Sequence, residues 1–296
     1  MAEAFGIVSG AVGIASVFST CVECFDYIQI GRRFGKDFQT QQLTLSLLKL
    51  RLSRWGEAVH INEDEQLGQP ESARGNVELA KNTLFQILLL LADSEKVSKR
   101  YRLTAKVGED LSSLSSADMG AKISALDNRM RALAAKRQKY TGLGKLTRWA
   151  LYDKEHYSRL VEDITKLLEN LELVFSVSEA NDHAQLAQRD IEQVSGDTRE
   201  DQAIAMKTLQ ELATGVDNVL KDKVPAVAAS RGLSIGSIVI EENARVRDGN
   251  FIGSSWKDVT NLPQAGASIA IASAQVKGNA RVMNGDTYGD KDTFWD

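Results

Sequence analysis

Few residues in this chain are spaced for bond-making chemistry. Cys21 and Cys24, in the stretch CVEC, have the separation of a redox pair or of half a zinc site. A zinc site needs a second pair and a redox pair needs a βαβ surround; the chain has two cysteines in all, so buried thiols are the plainer reading. His60, His156 and His183 are too scattered for a histidine-rich metal site. The stretch TGLGK at 141–145 lacks the length, the final Ser/Thr and the preceding strand of a phosphate loop, and reads as a helix–helix turn. NEDE at 62–65 reads as a solvated loop. No Ser/His/Asp set or carboxylate pair points to catalysis, so neither an enzyme nor a cofactor is indicated.

The chemistry the spacing does support is self-recognition. NARVRDGNFIG begins at Asn243 and NARVMNGDTYG at Asn279, thirty-six residues later, with six of eleven positions identical. Read with the period of a strand, Ile238, Ile240, Ala244 and Val246 form an apolar face, and their equivalents at +36 are Ala274, Val276, Ala280 and Val282. The other face is mostly polar. If the copies, 237–253 and 273–289, stack as windings of a β-solenoid, Glu241 lies over Lys277 and Asn243 over Asn279, a charge pair and an amide ladder. Gly249 and Gly285 then serve as the turns, where positive φ is easily adopted. Arg245 over Arg281 is unfavourable unless exposed and screened.

Repeat units close a continuous core only when about three or more are stacked. Two copies leave open strand edges above and below, which are templates for another chain. Across that junction Lys277 of one molecule meets Glu241 of the next, so the charge alternation continues and each molecule adds two layers of about 4.7–4.8 Å. Amyloid assembly with itself is therefore expected, the tail being disordered when soluble. A small β-hairpin appendage or a short β-helix cap is the alternative.

The elements that must carry this tail differ from it in texture. The 296 residues, 43% hydrophobic and 26% charged, suffice for one sizeable core with an appended segment. A net charge of −4 argues against a nucleic-acid partner. The three prolines, Pro70, Pro225 and Pro263, all sit in polar or loop-like contexts, which favours helices over roughly the first 224 residues. Ile123, Leu126, Met130 and Leu133 share one helical face, as do Tyr157, Leu160, Val161, Ile164, Leu167, Leu168 and Leu171. LFQILLLLA, from Leu84, is apolar nearly all round and is expected to be the central helix. Residues 231–296 hold eight of the 22 glycines but only Leu233 and Leu262 among leucines, so a boundary falls near 222–232.

At the other end, Ala4–Val22 runs nineteen residues without a charge, about 28 Å as a helix, close to a bilayer's hydrocarbon thickness. Gly6, Gly10 and Gly13 lie near one face, and the basic stretch GRRFGK follows at 31–36. Two readings stand: a buried helix of a soluble bundle, and a conditional membrane segment, Ala4–Val22 with Phe5, Gly6, Gly10, Gly13 and Val22 in it, that is stored and later released.

The chain resembles the fungal heterokaryon-incompatibility family of HET-s and HET-S over essentially its full length. The resemblance is carried by FGIVSGAVGIASVFSTCVECFDYIQIGRRFGKDF (5–38), LRLSRWGEAV (50–59), SKRY (98–101), WALYDK (149–154), the two NARV copies and the terminal Phe294 and Trp295. It implies a mainly α, helical-bundle HeLo domain, 1–222, followed by a prion-forming domain, 223–296, that becomes a two-winding β-solenoid amyloid. It further implies that templated folding of the tail disrupts the adjoining end of the HeLo domain. The N-terminal segment is then released from a cytoplasmic protein into the cell membrane, which becomes leaky. Phe294 and Trp295 would be the closing aromatic loop. The implied partners are the chain itself, related HET-s/HET-S-type proteins or receptor-borne amyloid motifs, and membrane lipid on activation. The family also contains prion-only forms, so a non-toxic module that propagates amyloid and recruits partners is the alternative function.

Overall fold

The structure, a computed structural model, describes residues 13–31, 37–64, 66–67, 74–92, 113–114, 118–138, 150–152, 154–174, 177–231 and, in the tail, 237–240, 245–247, 251–252, 273–276, 281–283 and 287–288. The chain divides into two compact units, residues 1–194 with 212–220, and residues 195–211 with 221–296.

Eight helices stand among the described residues. In the first unit they are α1 (Ile14–Cys24), α2 (Phe38–Ala58), α3 (Arg74–Ala92), α4 (Ala121–Lys136), α5 (Lys154–Glu172) and α6 (Val177–Val194). Further along the chain come α7 (Arg199–Ala213) and α8 (Asn218–Ser230). α2 is the axis of the first unit: every residue from Gln42 to Gly56 is buried, and α1, α4, α5 and α6 pack around it. Leucines at 43, 45, 47, 48, 50 and 52 pack in several directions at once. α3 packs on α1 and α5, yet Leu79 is 51% and Leu89 is 54% exposed, so LFQILLLLA is not the central helix. Its composition permits burial on all sides but does not compel it. α2 takes the centre because its charged residues find partners on other helices, which no local periodicity reveals.

The amphipathic stripes fall as their spacing predicts. On α5, Tyr157, Leu160, Ile164, Leu168 and Leu171 are buried, with Val161 and Leu167 half-buried at the edges of the stripe. On α4, Leu126 and Met130 are buried, and Ile123 and Leu133 flank them half-buried. α7 ends before Gly215, whose φ of 77° is the left-handed conformation that commonly closes a helix. α8 then starts under an N-cap: Leu220 donates its amide to Asp217 Oδ1 at 3.0 Å. Pro225 lies inside α8 rather than in a loop. Proline there removes one backbone donor, which a helix can absorb at some loss of stability.

A small sheet also belongs to the first unit. β1 (Ile28–Gly31) lies between β2 (Ser113–Leu114), antiparallel, and β3 (Ala150–Tyr152), parallel, with Ile30 opposite both Leu114 and Tyr152. The TGLGK stretch lies outside the described residues.

Candidate self-assembly site

Six strands are described in the tail: β4 (Ser237–Ile240), β5 (Arg245–Arg247), β6 (Phe251–Ile252), β7 (Ser273–Val276), β8 (Arg281–Met283) and β9 (Thr287–Tyr288). They form three two-stranded ladders, all parallel. Ile238 pairs with Ala274 and Ile240 with Val276, Val246 pairs with Val282, and Phe251 pairs with Thr287. Every pair joins residues thirty-six apart. A hairpin would run its strands antiparallel, so the first copy meets the second residue for equivalent residue, as stacked windings require. Among the described residues each tail strand has one strand neighbour, and its second edge is open to another. Arg245 pairs with Arg281 in the backbone register, at the offset the repeat demands.

Of the residues expected to stack, Glu241, Asn243, Ala244, Gly249, Lys277, Asn279, Ala280, Gly285, Phe294 and Trp295 lie outside the described residues. The third ladder was not marked as core by the apolar alternation. Phe251 and Ile252 face a Thr–Tyr pair of unlike hydropathy, and only the position of that pair in the repeat could have flagged it.

In the first unit the N-terminal stretch is described from Gly13 onward; Phe5, Gly6 and Gly10 lie outside the described residues. Ile14, Val17, Phe18, Cys21 and Val22 are buried. The Phe18 ring sits where Gly56 has no side chain: a Cβ built at 56 would overlap its edge. Phe18 also lies 6.3 Å from Trp55, ring centre to ring centre, at 52°. Among the described residues no helix is long and apolar enough to cross a membrane.

Both cysteines are free and buried. The Cys21 thiol donates to Leu84 O at 3.2 Å, and burial raises its pKa well above the ordinary value. Burial, then the charges of Glu23 and Asp26, pushes Cys24 up to about 12. A thiol held protonated is a poor nucleophile and a poor ligand. Among the described residues no group of three or more His, Cys, Asp or Glu could hold a metal.

The core of the unit carries a cluster of buried charges. Arg54, fully buried, pairs with Asp217 Oδ2, reaches Asp190 Oδ2 at 3.2 Å, and donates through Nε to His183 Nε2 at 3.1 Å. One turn earlier, Arg51 grips Glu172 with two bonds of 2.8 and 2.6 Å and donates to Val216 O at 2.5 Å. Arg137 holds Asp190 Oδ1 at 2.5 Å and pairs with Glu57. Three guanidiniums thus balance Glu172, Asp190 and Asp217, with the half-exposed Glu57 at the rim. Burial raises the Asp190 pKa, and Arg54 and Arg137 oppose that rise. Burial first, then the charges of Arg54, Arg51 and Arg137, lowers His183 to about 2, so its imidazole is neutral and accepts from Arg54. None of this cluster was singled out from sequence. Its one signal was LRLSRWGEAV, where two arginines three apart interrupt a leucine-rich helix and must find partners if buried.

Known proteins resemble this chain, some over its helical part and some over its whole length. A family model described as HeLo, prion-inhibition and propagation, matches residues 6–201. Over the whole length of both chains the sequence is 38% identical to heterokaryon incompatibility protein s of Podospora anserina and 37% identical to protein S of the same fungus. A solved structure of the HET-s N-terminal domain superposes with a TM-score of 0.64 at 36% identity, covering 73% of this chain and 97% of that one. A variant of that domain gives 0.63, also at 36% identity, over 72% and 97%. Matched by the family model over its helical part and by both incompatibility proteins from end to end, the chain belongs to the HeLo family of HET-s/HET-S heterokaryon incompatibility proteins.

Proposed function

We propose that this protein is an amyloid-templated trigger of incompatibility cell death, with a helical domain at 1–222 and a prion-forming tail at 223–296. The tail stacks as a two-winding β-solenoid whose open edges recruit further copies of this chain, related tails or tail-like motifs on a receptor. Ile238, Ile240, Ala244 and Val246, with their +36 equivalents, line its interior. Glu241–Lys277 and Asn243–Asn279 ladder on its outside, Gly249 and Gly285 turn, and Phe294 with Trp295 close it. Growth of the fibril frees Ala4–Val22 from the helical domain, and this segment enters and permeabilises the cell membrane, to which a cytoplasmic protein thereby moves. No catalytic step or cofactor is involved.

The observation that carries this reading is the parallel pairing of the two copies at +36 in all three ladders. The burial of α1 from Ile14 onward supports storage of the first segment before release. Mixing the full chain with tail fibrils and dye-loaded vesicles tests the proposal. Seeded wild type should leak dye. Val12→Lys with Ala15→Lys should abolish the leak while thioflavin-positive fibrils form as before. Fibrils without leakage from the wild type would mean that the tail works as a recruiting module instead.

A further inference from the structure

One stretch of α2, residues 51–56, touches both ends of the first unit. Arg51 and Arg54 hold Val216 O and Asp217 at its end. Trp55 and Gly56, the next two residues, hold Phe18 near its start. We infer that residues 51–56 form a double clasp that couples the seating of α1 to the seating of Val216–Asp217, so that freeing either end loosens the other.

The clasp is built to open as a whole. Asp217 spends one oxygen on the α8 cap and the other on Arg54. Pulling it away uncaps α8 and leaves Arg54 in the interior sharing Asp190 with Arg137. An unbalanced buried charge is not tolerated in place, so α2 must shift or admit water. Trp55 follows Arg54 directly and has its own tie, an Nε1 bond to Leu171 O at 3.1 Å, so displacement of this turn disturbs the surface on which Phe18 rests. The Gly56 notch leaves no room for a Cβ beside the Phe18 ring. The chain runs from Asp217 through α8 into the tail, which places the second grip at the point where tail folding would pull. That consequence rests on the proposed release of the first segment; the coupling itself does not.

Hydrogen exchange on the full chain tests the coupling. Asp217→Asn keeps a capping side chain but removes the charge partner of Arg54. It should speed exchange at Leu220 and at Val17, Phe18 and Val22 on the order of a hundredfold, with far less effect at Leu126 and Met130 of α4. Asp127→Asn breaks a different buried set, Ser46 and Arg131, and should loosen α4 without α1. Coupling is reciprocal, so Phe18→Leu, a milder change, should speed exchange at Val216 and Leu220. Unchanged α1 protection in Asp217→Asn, or α1 and α4 loosening together in every variant, overturns the clasp. In the vesicle assay Asp217→Asn should leak at lower seed doses than wild type. Equal dose dependence would remove its regulatory role. Selective exchange in a wild-type protein that never leaks would uphold the clasp and sink the membrane reading instead.

Discussion

At the scale of single residues, His183 makes the helical unit sensitive to acid. Its folded pKa is held at about 2, below its ordinary value of about 6.5 in the unfolded chain, so the unfolded state takes up the proton first. Its contribution to stability is complete above about pH 6.5 and declines as pH falls, by about 1.4 kcal/mol per pH unit well below that value. Between pH 6.5 and 5.0 the wild type should therefore lose about 1.6 kcal/mol more than His183→Gln, which keeps an acceptor for Arg54 and cannot titrate. Urea denaturation at the two pH values measures the difference, and equal losses would mean that the imidazole is not buried neutral. In the proposed tail stack, Glu241→Lys would set lysine over lysine within each chain and at each junction. One exposed pair is worth at most about 1 kcal/mol, but the mismatch recurs along the fibril. Wild-type seeds should elongate Glu241→Lys slowly. Adding Lys277→Glu should restore self-assembly while leaving cross-seeding with wild type poor, and single and double variants seeding alike at low salt would rule out the +36 charge pairing.

At the scale of elements, two glycines in helices should respond to alanine with opposite signs. Gly56→Ala drives a methyl into the Phe18 ring and should destabilise by roughly 1–3 kcal/mol. Gly75→Ala, on α3 with nothing within 4 Å of the new carbon, should be neutral or stabilising by up to about 1 kcal/mol. Guanidinium unfolding of both variants checks this, and a neutral Gly56→Ala would mean that α1 is not seated in the notch. The same elements explain what the sequence could say. α5 was readable because one face is dry and the other wet, so Tyr157, Leu160, Ile164, Leu168 and Leu171 keep a helical period. α2 was not, because burial on all sides erases periodicity and Lys49, Arg51 and Arg54 mimic a solvated face. Lys49 is matched by Asp26 at 2.7 Å, a partner on another element that only folding brings near. β1, β2 and β3 were missed because strands of two to four residues, far apart in the chain, carry little pattern of their own. The tail register was legible because it was written twice, and the described strands pair at the same offset.

In the whole molecule, a helical unit closed around a neutralised charged core is followed by a tail whose described strands each keep one edge open. The sequence matches both incompatibility proteins from end to end, so the two parts occur together in those relatives as well. In the proposed fibril each chain contributes two stacked windings, the first copy of the repeat over the second. Such a fibril has two layers of about 4.7–4.8 Å per molecule, or one chain per roughly 9.5 Å of axis. Mass per length of fibrils grown from residues 223–296, read by scanning transmission electron microscopy, measures it directly. One chain per roughly 9.5 Å is the expected result, and one chain per roughly 4.7 Å, a single layer each, would contradict the stacking of the two repeats.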